Sequence, residues 1–298
     1  MKKIDIIKQK VQGRLRKDVP LKEFNTWKVG GNAEFFFEPY NLEDLIVFLN
    51  LITNEKITFL GNGSNVLIRD NGIEGFVVCL KNSLNNFFFS DNGKFTFEAG
   101  LSCMKIAQIS ARENYTGLEF LCGIPGTLGG ALRMNAGCNG GNIWSNVASV
   151  VLINKKGNLI TKSGNDFNIS YRNVELDENN FFVSASFDLK ENKLKNSLDI
   201  IKELLKNRRI SQPTGQPSCG SVFKNPNSDS AGRILESLGL KGYRIGGAYI
   251  SEKHANFIIT EKSAKSNDIE ELISFIQNKV LEKKKILLET EVKFIGRK

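Results

Sequence analysis

Residues 117–137, GLEFLCGIPGTLGGALRMNAG, constrain this chain more than any other segment. Glycines at 117, 123, 126, 129, 130 and 137 make the run too costly in backbone entropy to read as a regular helix. Its leucines, Phe120, Ile124 and Met134 make it too apolar for a disordered linker. Main chain stripped of side chains in an apolar setting reads as backbone pressed against a ligand. The residues that would line it are Gly123, Ile124, Pro125, Gly126, Thr127, Gly129, Gly130, Ala136 and Gly137.

A second small-residue loop lies about sixty residues earlier: Gly61, Asn62, Gly63, Ser64 and Asn65, between strand-like segments 57–60 and 66–70. A Rossmann fingerprint runs from a strand directly into a helix, so this is not one. Tight loops of small residues expose successive N–H groups as a concave nest for phosphate, and Ser64 and Asn65 add side-chain donors. Alone, the loop is better read as an ordinary strand turn. Together, the two runs suit a dinucleotide pyrophosphate held by backbone donors where side chains have little room. A pair of packing turns is the alternative.

The rest of the chain narrows the chemistry by exclusion. At 298 residues it can bury a full core, and length alone suggests about two domains of roughly 150 residues. The first ten residues carry lysines but no apolar stretch of secretory length, and the longest apolar segment, 45–52, is broken by Asn50. A soluble, cytoplasmic protein with no membrane association is expected. Cys79, Cys103, Cys122, Cys138 and Cys219 form an odd set without C-x-x-C spacing, which argues against a disulfide framework and a zinc knuckle. Reduced, mostly buried thiols and no metal are expected. His254 is the only histidine, so most Ser-His or Cys-His arrangements would have to use it. The net charge of +9 suits nucleic acid, an anionic membrane face, or small ligands with phosphates and carboxylates. Basic residues are spread along the chain, and phenylalanines sit in apolar runs at 35–37 and 87–89, so nucleic acid is not the expected partner.

Periodicity divides the chain into three parts. The first, to about residue 70, has an extended stretch at 33–38, a helix from an Asn41 cap with Leu42, Leu45, Ile46 and Leu49 on one face, and a strand at 57–60. The second, about 71–193, has strand-like runs at 75–80, 95–98, 150–154, 159–162 and 181–189, and one helix from Ser102. Lys156-Gly157-Asn158 has hairpin-turn composition. The third opens with an amphipathic helix at 194–208, crosses a Pro/Gly-rich loop, has helices near 231–238 and 269–284, and closes with a strand at 286–295. Asn267 and Glu270 have the spacing of a capping box. The class is α+β.

Four further segments carry candidate chemistry. Tyr171-Arg172 offers a guanidinium for bidentate grip on a carboxylate or phosphate, although an exposed arginine is the plainer reading. Gly220-Ser221-Val222-Phe223-Lys224-Asn225-Pro226 sets a serine behind a glycine with no obvious histidine partner, which disfavours a nucleophilic hydrolase. The last strand alternates Leu288, Thr290, Val292 and Phe294 with Glu289, Glu291 and Lys293, which reads as a solvated polar face. His254 precedes the apolar 257–259 and suits a positioning or structural role.

In order along the chain, NTWKVGGNA at 25–33, GNGSN, the 117–137 run, Tyr171-Arg172, GSVFKNP, GLKGYRIGGAYISEKHANFI at 239–258 and LETEVKFIG at 288–296 resemble the UDP-N-acetylenolpyruvoylglucosamine reductases. The match spans nearly the whole chain. The short segment between Arg172 and Ser221 is similar to the family's compact second type, which lacks an insertion bearing a substrate-gripping tyrosine. The resemblance implies two FAD-binding subdomains of the vanillyl-alcohol-oxidase/PCMH type, at 1–70 (completed by the C-terminal strand, 286–298) and 71–193, and a substrate-binding domain at 194–285. It implies non-covalent FAD, NADPH as co-substrate, and reduction of UDP-GlcNAc-enolpyruvate to UDP-N-acetylmuramate by a monomer. Arg172 and Glu291 would stabilise the enediolate left by hydride addition, and Ser221 would protonate its α-carbon. Tyr171, Arg209 and Asn225 match substrate-contacting positions.

Three positions depart from the family pattern. Val174 stands where serine is common, Thr290 where proline is common before the terminal glutamate, and Cys219 where alanine is usual. Thr290 puts the placement of Glu291 in question, and Cys219 beside Ser221 predicts sensitivity to thiol reagents. An alcohol- or heterocycle-oxidising flavoprotein of the same superfamily is the competing enzyme. Many such relatives tether flavin through His or Cys, whereas His254 lies outside the flavin loops. A basic RNA-binding scaffold is the non-enzymatic alternative.

Overall fold

In the computed structural model, which describes residues 3–52, 54–90, 92–227 and 229–298, the chain forms two compact units, each discontinuous in sequence. The first takes the chain up to Lys17, Phe35–Asn62 and Gly75–Asn207. The second takes Asp18–Glu34, Gly63–Glu74 and Arg208–Lys298. Met1 and Lys2, at the start of the 1–70 segment, lie outside the described residues.

The first unit is built on a five-stranded antiparallel sheet in the order Leu159–Ser163, Val147–Asn154, Asn180–Asp188, Lys94–Glu98, Phe87–Ser90. Alternation along these strands buries Phe95, Phe97, Val150, Leu152 and Phe187, which share one core with Ile106, Ala107 and Ala111 of the helix Cys103–Arg112. Ser102 caps that helix, its hydroxyl accepting the Lys105 N–H at 3.3 Å. The hairpin between Val147–Asn154 and Leu159–Ser163 turns because Asn154 Oδ1 accepts the N–H groups of Lys156 and Asn158, with Gly157 at φ 77°. A second core gathers Leu45, Phe48 and Leu49 of the helix Leu42–Leu51 with Phe37 and Phe76. Asn41 caps that helix through the Asp44 N–H at 2.9 Å. Leu42 and Ile46 are partly buried at its margin.

The 117–137 run overturns one expectation: Leu128–Arg133 is a short helix. Leu128, Ala131 and Leu132 are buried in the sheet's core, and Gly129 lies so close to Ala99 that a Cβ there would stand 3.1 Å from the alanine methyl. Packing thus overrides the poor helix propensity of paired glycines.

The second unit gathers Trp27, Val222, Phe223, Ile250 and Ile258 with the helices Ala231–Ser237 and Ser266–Lys284. The three-stranded sheet Arg244–Ile245, Ala248–Ile250, Ile258–Thr260 is pinned to the Trp27 segment: the indole N–H donates to the Ile258 carbonyl at 2.8 Å, and Thr260 Oγ1 to the Trp27 carbonyl at 2.6 Å. The helix Ser266–Lys284 starts three residues before the expected 269, and the Asn267/Glu270 capping box does not form. Asp70 accepts the Ser266 and Asn267 N–H groups, and Asp268 accepts those of Lys265 and Gly247. Glu270 pairs with Arg69, and Asn267 with Glu271. The expected strand at 286–295 shortens to Lys293–Ile295, parallel to Val66–Ile68, while Thr290 makes a single antiparallel bridge to Phe223.

Candidate active site

In the first unit the two glycine runs meet. A Cβ on Gly61 would stand 2.4 Å from Thr127 Oγ1, and Asn62 Nδ2 donates to the Pro125 carbonyl. Thr127 bridges Ser102, and Cys103 N–H donates to the Gly126 carbonyl at 3.0 Å, so the second run is stitched to the start of the helix below it. Not every expected donor faces a ligand. Ile124 N–H goes to the Leu121 carbonyl and Gly129 N–H to the Ala99 carbonyl. Those two positions offer shape, not hydrogen bonds.

Arg172 belongs to the same constellation. Its Nη2 donates to the Gly137 carbonyl at 2.8 Å and Nη1 to the Asn135 carbonyl at 3.4 Å, and its guanidinium lies 5.3 Å from the ring of exposed Tyr171. The residue itself sits at φ 57°, the left-handed region that costs a side-chain-bearing residue about 1–2 kcal/mol. Strain is held by reciprocal ties: Arg133 Nη1 donates to the Val174 carbonyl at 2.8 Å and Asn135 Nδ2 to the Ser170 carbonyl at 3.0 Å, one on each side of Arg172. Sequence reasoning missed Arg133 and Asn135, since nothing in their spacing marks a contact with a turn nearly forty residues on. The plain reading of Arg172 as an exposed arginine does not hold, because it is half-buried.

The second unit joins the other end of the first loop to the serine and the glutamate. Gly63, at φ 60°, leaves no room for a Cβ beside the Phe24 carbonyl, 2.3 Å away, and accepts the Thr26 N–H at 3.1 Å. Asn65 Nδ2 donates to the Glu291 carbonyl at 3.1 Å, and the Asn65 carbonyl accepts the Lys293 N–H at 3.0 Å. Glu291 N–H donates to the Val222 carbonyl at 2.8 Å, which sets Glu291 opposite the residue that follows Ser221. Thr290 bridges Phe223 next to that contact. The solvated face expected for the last strand holds for Glu289 and Lys293 but not for Glu291, which is half-buried.

The remaining candidates are more peripheral. Arg209 is exposed, its carbonyl accepting from Lys253 Nζ. Asn225 is exposed, and its Oδ1 accepts the Ala231 N–H at 3.0 Å. His254 Nδ1 accepts the Asn256 N–H at 3.2 Å, and burial lowers its pKa, which favours the neutral ring. The surroundings of Cys219 disfavour the thiol-reagent sensitivity expected of it. It is buried, contacts the Val66 carbonyl at 3.5 Å, and burial pushes its pKa up to about 12. No group of three metal-ligating side chains occurs among the described residues, and no helix among them is long and apolar enough to cross a membrane.

Residues 33–163 match the family model described as FAD binding domain, and residues 212–295 the one described as UDP-N-acetylenolpyruvoylglucosamine reductase, C-terminal domain. A UDP-N-acetylenolpyruvoylglucosamine reductase of Legionella pneumophila strain Corby is 46% identical over 287 residues, covering 96% of this chain and 93% of the relative. One from Methylococcus capsulatus is 45% identical, covering 93% and 91%. The crystal structure of UDP-N-acetylenolpyruvylglucosamine reductase from Thermus caldophilus superposes with a TM-score of 0.83 at 30% identity, over 95% of this chain and 100% of that one.

Proposed function

Because the chain belongs to the UDP-N-acetylenolpyruvoylglucosamine reductase family, we propose that Arg172, Ser221 and Glu291 carry its reaction and that the two glycine runs hold its cofactor. The protein is an FAD-dependent oxidoreductase that reduces the enolpyruvyl group of UDP-N-acetylglucosamine enolpyruvate, with NADPH as reductant, in peptidoglycan synthesis. The product is UDP-N-acetylmuramate.

The residues present suit the cofactor. A Cβ on Gly130 would meet no heavy atom within 4 Å, so nothing in the protein itself demands glycine there, as expected where a ligand lies against bare main chain. Asn25 spends both amide hydrogens on the Leu21 and Val29 carbonyls, which leaves its buried Oδ1 as an acceptor of the kind a ribityl or ribose hydroxyl satisfies. Gly61, Asn62, Gly63, Ser64 and Asn65, with Gly123, Ile124, Pro125, Gly126, Thr127, Gly129, Gly130, Ala136 and Gly137, would form the cradle. The chemistry that FAD supplies when bound is relay of a hydride from NADPH to the methylene carbon of the enolpyruvyl ether.

Hydride addition there would leave a carbanion at the α-carbon, delocalised into the substrate carboxylate as an enediolate. Arg172, fixed by two carbonyls, offers a permanent cation to that charge without having to reorganise. Glu291 contributes a hydrogen bond as a donor, which requires its carboxyl to be protonated at that moment. Ser221 Oγ then gives its proton to the α-carbon. The enediolate is a strong base, so a positioned hydroxyl suffices without an imidazole partner. Tyr171, Arg209 and Asn225 complete the reading as contacts to the UDP-sugar.

The assignment divides the chain into FAD-binding parts at 1–70, with 286–298, and 71–193, and a substrate-binding part at 194–285. The pairing of Lys293–Ile295 with Val66–Ile68 supports attaching the last strand to the first part. A monomer in the cytoplasm, where both nucleotide substrates are soluble, is the working form. The observation that carries the chemistry is the ladder that sets Glu291 opposite Val222, next to Ser221. Its test is Ser221→Ala: NADPH should still bleach the flavin, while reoxidation by the enolpyruvyl sugar falls at least about a hundredfold. Near-normal reoxidation would remove Ser221 from the role.

A further inference from the structure

We propose that Asn256 is a positioning residue for Ser221 and Glu291, acting through a two-sided grip on the main chain of Phe223; this rests on the roles assigned to those two residues above. Phe223 is 1% exposed and bridges Thr290. In that register its neighbours do the pairing: Lys224 N–H donates to the Glu289 carbonyl at 2.9 Å, and Glu291 N–H to the Val222 carbonyl at 2.8 Å. The N–H and C=O of Phe223 itself therefore face away from the 289–291 segment. Asn256, 3% exposed, meets both. Its Oδ1 accepts the Phe223 N–H at 3.0 Å and its Nδ2 donates to the Phe223 carbonyl at 2.8 Å. Its own carbonyl accepts the Val222 N–H at 2.9 Å.

One carboxamide thus stands in for a third strand. Without it, two buried main-chain groups would lose their partners, and the segment would shift or admit water. The effect would fall on the residues assigned to the chemistry: Ser221 immediately precedes the gripped segment, entering from Gly220 at φ 74°, and Glu291 hangs from the Val222 carbonyl. His254 steadies the clamp from its far end, its Nδ1 accepting the Asn256 N–H.

The clamp needs one donor and one acceptor side by side. Asn256→Asp provides both when its carboxyl is protonated. When ionised it loses the donor and sets a carboxylate oxygen against the Phe223 carbonyl. Burial raises a carboxyl pKa, so this switch should fall within reach of ordinary buffers. Other charged groups near the clamp are His254, with Lys241 and Glu236 acting on it, the Lys224–Glu289 pair, and Glu291. All are shared with the parent enzyme, so the informative quantity is the variant-to-parent ratio at each pH.

The experiment is stopped-flow on the flavin-loaded full chain, following bleaching by NADPH and then reoxidation by UDP-GlcNAc-enolpyruvate. For Asn256→Asp, bleaching should stay within about twofold of the parent, while reoxidation near pH 8 falls about thirtyfold or more, the scale of a displaced transition-state donor. The ratio should then recover about tenfold toward pH 5.5. A ratio flat with pH, unchanged reoxidation, or equal loss of both half-reactions with flavin release would overturn the proposal, the last because it marks a residue that merely supports the fold. Should the ionised carboxylate unfold the chain, Asn256→Ser, which can keep one hydrogen bond to Phe223, decides: slowed reoxidation with normal bleaching supports the clamp, and equal loss of both rejects it. Ser221→Ala measured alongside separates the two layers. If that variant reoxidises normally, the role of Ser221 fails and the clamp's purpose with it; if it is slow while Asn256→Asp is normal, the clamp alone fails.

Discussion

Replacing Gly130 by alanine should strengthen the fold and weaken the cofactor. Gly130 is the third residue of the helix Leu128–Arg133, and a Cβ built there meets no heavy atom within 4 Å. Alanine inside a helix is favoured over glycine by about 0.5–1 kcal/mol, and no steric term in the protein opposes that gain. The neighbouring Gly129 is the contrast, since a Cβ there stands 3.1 Å from the Ala99 methyl. Urea unfolding of the flavin-free chain should therefore show a midpoint equal to or above that of the parent. If the dinucleotide lies against Gly130, the added methyl occupies its contact distance, and FAD affinity should fall at least about tenfold, or 1.4 kcal/mol. Quenching of flavin fluorescence on titration into the flavin-free protein reads that directly. Unchanged affinity would take Gly130 out of the cradle, and a lowered urea midpoint would contradict the open space seen around it.

Three other outcomes follow from the same geometry. Arg172→Lys keeps the charge but cannot span the Gly137 and Asn135 carbonyls as a fork, so reoxidation by the sugar should slow about thirtyfold or more with bleaching intact; unaltered reoxidation would show that charge alone suffices. Native protein treated with a maleimide should keep its activity at Cys219, whose buried thiol is pushed up to about 12, and peptide mapping should find label on the partly exposed Cys138 first; inactivation tracking label at Cys219 would refute this. Glu119 is buried, and burial alone would raise its pKa, yet bonds from Ser197 Oγ at 2.6 Å and Gly117 N–H at 2.8 Å outweigh that and hold it below the usual carboxylate range. A depressed folded-state pKa stabilises above the unfolded value and loses that contribution as pH falls through the folded one. Glu119→Gln should therefore cost about 1–3 kcal/mol near neutrality and show a smaller further loss than the parent on acidification, measured by urea unfolding at a series of pH values.

What the sequence disclosed was what a residue does with its own neighbours. Asn41 and Ser102 cap as their spacing predicts, because an N-cap is settled within three residues. The Asn267/Glu270 box failed for the converse reason: the helix found better acceptors in Asp70, nearly two hundred residues away, and Asp268. The helix within the 117–137 run escaped notice because its stability lies in Leu128, Ala131 and Leu132 packing on a distant sheet, which no local propensity records. Among candidate site residues, Arg172 and Glu291 looked like ordinary surface charges one at a time. Resemblance singled them out, and half-burial is what separates Glu291 from exposed Glu289 and Lys293, two residues to either side of it. Arg133 and Asn135, which secure the turn around Arg172, carried no local signal at all.

The lone histidine is linked by hydrogen bonds to the segment that carries Ser221. A serine nucleophile needs a base to remove its proton, and His254 is the only imidazole in the chain. Its Nδ1 lone pair is already committed to the Asn256 N–H, and protonating it would forfeit that bond. The chain therefore uses its histidine to hold Asn256, and Asn256 to hold the main chain that follows Ser221. A serine held by such scaffolding, with no base assigned to it, is poorly equipped to attack a carbonyl and well equipped to give up a proton to something more basic than itself. An enediolate is that kind of partner. In the proposed reaction this arrangement would favour protonation of the enediolate by Ser221 over attack by it through an imidazole base.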